Sequence, residues 1–205
     1  MVLIAPPPPR RPPKPRHAVL NRGRHLVRIF APDRLGPAEF SAYGPRHRFD
    51  HHRGAYSAPA DDPDRRVYYV ADDLKGCIAE VFGDAGVISV GTLHVAEVRL
   101  RRRLRLLDLR GDGALKCGSV AALAAVPDRP LSQQWARWFY EHPKAFGNVD
   151  GISYPNAHNQ YVAYALFERA EDALVVIADL PLADPLLRSP IRGIAEECNL
   201  IVEPY

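Results

Sequence analysis

Short runs of apolar and aromatic positions recur along the chain. Leu26-Val27-Arg28-Ile29-Phe30 and Val67-Tyr68-Tyr69-Val70 read as strands, being rich in β-branched and aromatic residues. Further strands are expected at residues 87–90, 92–98, 104–109, 151–154, 164–167 and 174–178. After the second strand Asp72-Asp73 offers helix N-caps. Leu74, Ile78, Val81 and Phe82 then follow at helical spacing, and Gly83 closes the helix. In residues 131–142 Trp135, Trp138 and Phe139 share a helical face, with Ser132 as its N-cap. Residues 192–199 are also expected to be helical. Residues 31–66 show no periodicity and are rich in Pro, Gly, His, Arg and Asp, which predicts a long irregular segment of the kind that often carries function. Strands interrupted by helices without regular β-α-β alternation predict an α+β fold, a mixed or antiparallel sheet with flanking helices.

Composition divides this picture into two parts. Residues 6–15 hold seven of the 20 prolines, and proline fixes φ and removes a donor. Residues 1–24 are therefore expected to be an extended, disordered Pro/Arg-rich leader, with the folded domain over residues 25–205. The leader carries six of the 27 Lys and Arg and no acid. The remaining 21 face 24 acids, so the domain is mildly acidic despite a formal charge of +3. A basic tail suggests salt-sensitive affinity for polyanions, and a polyanion-binding protein is one reading of the chain. No apolar run is long enough for a transmembrane helix. The apolar start precedes the basic residues, the reverse of a signal peptide. Cys77, Cys117 and Cys198 are far apart and lack CxxC spacing, which argues against a disulfide framework or zinc ribbon and for a reducing cytoplasm.

Few residues declare a chemistry. His47, Asp50, His51 and His52 share one loop, but adjacent histidines do not readily face one ion, and no helix is indicated to align His47 with His51. A polar loop is the simpler reading, and no metal site is assigned. Residues 99–105 contain five arginines without interleaved aromatics, which reads as a solvated edge or turn rather than a nucleic-acid surface. GxSxG, HExxH, P-loop and GxGxxG signatures are absent. Periodicity alone places Glu80 off the apolar face of its helix, as a surface glutamate.

The order of several short segments adds what spacing does not. His47-Arg48-Phe49-Asp50, Tyr69-Val70-Ala71 with Ala79-Glu80, Asp150-Gly151-Ile152-Ser153-Tyr154-Pro155-Asn156 and Ala165-Leu166-Phe167 follow one another after the strand that holds Arg28. This succession resembles the RES domain family, bacterial toxins that degrade NAD. The resemblance implies a fold similar to ADP-ribosyltransferases and cleavage of the N-glycosidic bond of NAD by hydrolysis or phosphorolysis. NAD, and inorganic phosphate in the second case, are then substrates, with no prosthetic group. It further implies catalytic roles for Glu80, Arg48 and Asn156, and NAD contacts from Arg28, Arg48 and Tyr69. The implied partner is a helix-turn-helix antitoxin of the Xre type, with DNA reached only through it. The family's serine falls at Asn156, which has no hydroxyl nucleophile. That departure supports a second reading, a catalytically silent nucleotide-binding or interaction module of the same fold.

Overall fold

The computed structural model describes residues 4–203 as twelve strands and five α-helices; Met1–Leu3 of the leader and Pro204–Tyr205 lie outside them. The first half comprises β1 (His17–Leu20), β2 (His25–Phe30), β3 (Tyr43–Gly44), β4 (Ala60–Asp61), β5 (Val67–Ala71), α1 (Leu74–Phe82), β6 (Val87–Ile88) and β7 (His94–Leu100). The second comprises β8 (Leu104–Asp108), α2 (Gly113–Lys116), α3 (Arg129–Glu141), α4 (Pro143–Phe146), β9 (Gly151–Pro155), β10 (Val162–Phe167), β11 (Leu174–Pro181), α5 (Arg188–Cys198) and β12 (Ile201–Val202). Eight strands form one sheet in the order β1-β8-β9-β10-β5-β2-β7-β11. Its pairs are antiparallel except β8 with β9, so the sheet is mixed, as the α+β reading expects.

Short connections force this sheet to curl. β7 and β8 are five positions apart in the order, roughly 24 Å across a flat sheet. Only residues 101–103 join them, a reach of about 14 Å. The two ends must therefore bend toward each other into a half-barrel. Leu26, Tyr68, Val98, Leu100, Leu104 and Leu166 belong to the apolar cluster that fills the inside. The outer face carries two helical covers: Trp135, Phe139 and Phe146 pack over Ile152 and Tyr154, and Ile78, Phe82 and Ile191 pack beside Val95. The candidate cleft is the outer face between the two covers, where β5 and β9 lie.

Three expectations change. The leader is not separate from the domain, because β1 pairs with β8 and Lys14 N–H donates to Lys116 O at 2.8 Å. Its Arg16 and Arg24 are spent on Asp108 and Asp72. Helix α3 starts at Asp128, whose side chain accepts from Leu131 N–H, and Ser132 is buried one turn inside. Val81 is exposed, since Cys77 and Ile78 share the buried face of α1 with Phe82. Of the two readings of the arginine run, edge or turn, the turn holds: β7 and β8 are each flanked by two strands, and Arg102 pairs with Asp150 and Asp172. No helix among the described residues is long and apolar enough to cross a membrane.

Candidate functional site

The floor of the cleft is built from the loop preceding β5. Asp50, 1% exposed, accepts from Arg46 N–H at 2.6 Å and His47 N–H at 2.8 Å through Oδ2, and from the Tyr69 hydroxyl at 2.8 Å through Oδ1. The same hydroxyl accepts from Phe49 N–H at 3.0 Å. Phe49 is fully buried, its ring 4.7 Å from that of Tyr154. These bonds staple residues 46–50 into one turn that includes Arg48. Arg48 Nη1 donates to Val126 O in the segment ahead of α3.

Glu80 arrives from the opposite wall. It lies in the last turn of α1, on the exposed side, as periodicity predicts. Asp73 caps the helix by accepting from Gly76 N–H at 2.8 Å. Gly83 follows the helix where a Cβ would meet the His158 ring at 2.6 Å, so only glycine lets that ring pack there. Asn156, 1% exposed, ties the wall together: Nδ2 donates to Gly76 O at 3.2 Å, and Oδ1 accepts from His158 N–H at 2.8 Å.

The charges in the cleft act on one another. Burial pushes the Glu80 carboxyl above its usual range, against the pull of Arg48, His158 and Arg129. Glu80 keeps solvent access, yet the walls around it shield its carboxylate enough to raise the cost of ionisation. Burial also lowers the Arg48 guanidinium, as does Arg129, while Glu80 raises it. The Tyr154 hydroxyl is raised well above its ordinary value by burial and then by Glu80. Neither Glu80 nor Arg129 has a side-chain hydrogen bond or ion pair among the described residues. The arrangement is a carboxylate without a hydrogen-bond or ion-pair partner, within electrostatic reach of two guanidiniums and of the Tyr154 hydroxyl. It can hold an anionic ligand on one side and stabilise developing positive charge on the other.

Arg48 lies within electrostatic reach of both Glu80 and Tyr69. Asn156 stands behind the cleft with both ends of its amide engaged. Arg28 projects from the other face of the sheet: its guanidinium stacks 4.4 Å over Tyr68, and Nη1 donates to Glu39 O at 2.7 Å. Tyr68 and Tyr69 are successive strand residues and therefore point to opposite faces. Sequence reasoning passed over Arg129, Tyr154, Asp50 and His158 as site residues. The Asp128-Arg129-Pro130 helix start was a readable signal, but only the tertiary fold brings it to Arg48. The loop histidines diverge: His47 meets the Tyr69 ring edge-on, and His51 Nε2 bonds Glu168 at 2.9 Å. His52 is buried without a partner among the described residues. No group of three His, Cys, Asp or Glu among the described residues is arranged to hold a metal ion.

The sequence model of the RES domain matches residues 25–185. A probable toxin, y4kH, of Sinorhizobium fredii (strain NBRC 101917 / NGR234) is 30% identical over 115 residues, covering 56% of this chain and 87% of its own. A chain in the crystal structure of the M. tuberculosis MbcT-MbcA toxin–antitoxin complex superposes with a TM-score of 0.55 at 16% identity, over 85% of this chain and 92% of that one. The fold is thus the α+β, ADP-ribosyltransferase-like one that the resemblance implied.

Proposed function

This chain belongs to the RES domain family, and from that premise we propose that it is a toxin that cleaves the N-glycosidic bond of NAD and is neutralised by an antitoxin. The observation that carries the chemistry is a Glu80 carboxylate without a hydrogen-bond or ion-pair partner, within electrostatic reach of Arg48 and Arg129. Arg48 and Arg129 take the pyrophosphate by charge-assisted bonds. Tyr69 offers its ring to the nicotinamide, with its hydroxyl held by Asp50 so that the ring does not turn. Breaking the C1′–N bond releases neutral nicotinamide and leaves oxocarbenium character on the ribose. Glu80 stabilises that charge and accepts a hydrogen bond from a ribose hydroxyl. Water as acceptor gives ADP-ribose and a proton; inorganic phosphate gives the 1-phosphate of ADP-ribose. Asn156 acts through α1, holding the helix that presents Glu80, and takes no part as a nucleophile.

The relatives named above are described as a probable toxin and as part of a toxin–antitoxin complex. They support an antitoxin as the partner; its Xre helix-turn-helix type, access to DNA only through it and a cytoplasmic location are what the family resemblance implies. Expression in a bacterial host tests the reading. The intact chain should arrest growth and deplete NAD, and Glu80→Ala should do neither. Arrest by Glu80→Ala with NAD intact would remove NAD cleavage as the cause. A second reading rests on Asn156, whose amide is fully used within the protein: a module that binds a nucleotide without turning it over. NAD binding by the purified chain without nicotinamide release would select it.

A further inference from the structure

The proline-rich leader does not trail away from the domain. Trp135 on α3 is 1% exposed, and its indole N–H finds its partner outside the domain core, donating to Ala5 O at 3.0 Å. Ile4 packs against the same cluster. Pro6, Pro8 and Pro9 line a cavity of about 380 Å³ together with Leu115, Val120 and Trp135. Gly118, at φ +87°, leaves room for Pro9 where any Cβ would overlap it. Two elements of proline-rich peptide recognition are present, a carbonyl read by an indole N–H and proline rings in apolar contact, on a leader that bends at Pro7-Pro8 and at Arg10-Arg11.

The docking site brackets the segment that serves the cleft. Val120 stands before it and Trp135 after it. Between them lie Val126, whose carbonyl receives Arg48, and Asp128 and Arg129 at the start of α3. The backbone bonds within this stretch are local: Leu123 N–H to Val120 O, Ala125 N–H to Ala122 O and Val126 N–H to Ala122 O. Among the described residues, its side-chain bond to the cleft is the one from Arg48. We propose that residues 4–13 are an intramolecular proline-rich ligand whose docking against Trp135 holds the 120–129 segment in the position that supports Arg48 and presents Arg129. The leader is thus a positioning element for the cleft.

The test uses the full chain with Trp138→Phe, which leaves Trp135 as the sole reporter of the two tryptophans. Adding Ile4→Asp and Pro9→Asp changes only the leader. The expected result is a red-shifted Trp135 emission and roughly fivefold faster amide exchange across residues 120–131, the equivalent of about one lost hydrogen bond. A synthetic peptide of residues 4–13 added in trans should reverse both. An unshifted emission would overturn the docking. A shifted emission with unchanged exchange over 120–131 would overturn the coupling. Nicotinamide release should fall in the same variant and recover with the peptide. That arm alone rests on the proposed NAD chemistry, so a parent chain that releases none leaves the fluorescence and exchange tests standing.

Discussion

Replacing Asp50 with alanine removes the acceptor of three donors at once: the Arg46 and His47 amides and the Tyr69 hydroxyl. Arg46 and His47 are exposed, so water can partly replace their bonds, whereas the phenol faces a site with little access. A buried donor left unpaired costs about 1–3 kcal/mol, which puts Asp50→Ala at about 3–5 kcal/mol when the two amides are counted at the low end. Asparagine keeps one oxygen for the two amides. Its NH2 then donates to the Tyr69 hydroxyl oxygen, while the Tyr69 O–H loses its acceptor as it does in the alanine variant. Asp50→Asn should therefore cost about 1–3 kcal/mol, less than alanine by the two amide bonds it keeps. Urea unfolding followed by fluorescence measures both, with an unchanged m-value certifying that stability and not denatured-state compactness has moved. Nicotinamide release should survive in Asp50→Asn within a few-fold and be lost in Asp50→Ala, because Arg48 lies inside the stapled turn. Equal costs for the two variants, or a cost below about 1 kcal/mol for alanine, would refute the view that Asp50 organises the turn.

Three further outcomes follow from the same geometry. The Glu80 carboxyl is raised above 4.5 by burial, so the folded state holds its proton more tightly than the unfolded state. Stability should fall as pH rises through that raised value, activity should climb over the same interval, and Glu80→Gln should abolish both slopes in pH-dependent unfolding and rate profiles. Burial lowers the His51 imidazole from 6.5 despite its bond to Glu168, so its contribution is present above that pH and lost as pH falls below it. His51→Phe, packing between Tyr140 and Phe167, should flatten the acid limb of a stability profile; an unaltered limb would assign that loss to other groups. Asn156→Ala should destabilise by about 1–3 kcal/mol through the unpaired His158 amide. Thermal unfolding reads this cost, and a neutral substitution would show that α1 needs no tie to the β9–β10 turn.

The strands were legible because the half-barrel has one apolar interior and two helix covers, so most of its strands carry continuous or alternating hydrophobic positions. Helix α1 was legible from Asp73 through Gly83 for the same reason, but periodicity reads Glu80 as a surface glutamate, and only the family resemblance singles it out. β1 was hidden because prolines precede it and its hydrogen bonds go to β8, some 90 residues away. The start of α3 was placed late because Ser132 is as good a cap by residue type as Asp128, and only packing decides which is used. Arg28 reads like Arg48 in a one-dimensional string. Strand alternation sends it to the inner face beside Tyr68, which its residue type does not reveal. Arg129 was invisible as a site residue because its meeting with Arg48 and Glu80 depends on the curl of the sheet.

The central claim is that Glu80, facing Arg48 and Arg129, cleaves NAD at its glycosidic bond. Nicotinamide release from NAD by the purified chain, beside Glu80→Gln and with or without inorganic phosphate, tests it most directly. The account predicts release by the parent chain and a loss of about 10²-fold or more in Glu80→Gln, with NAD affinity retained through the arginines. Faster release with phosphate would identify it as the acceptor, and indifference to phosphate would identify water. Release at equal rates from both proteins, or intact NAD with the parent chain, would contradict it.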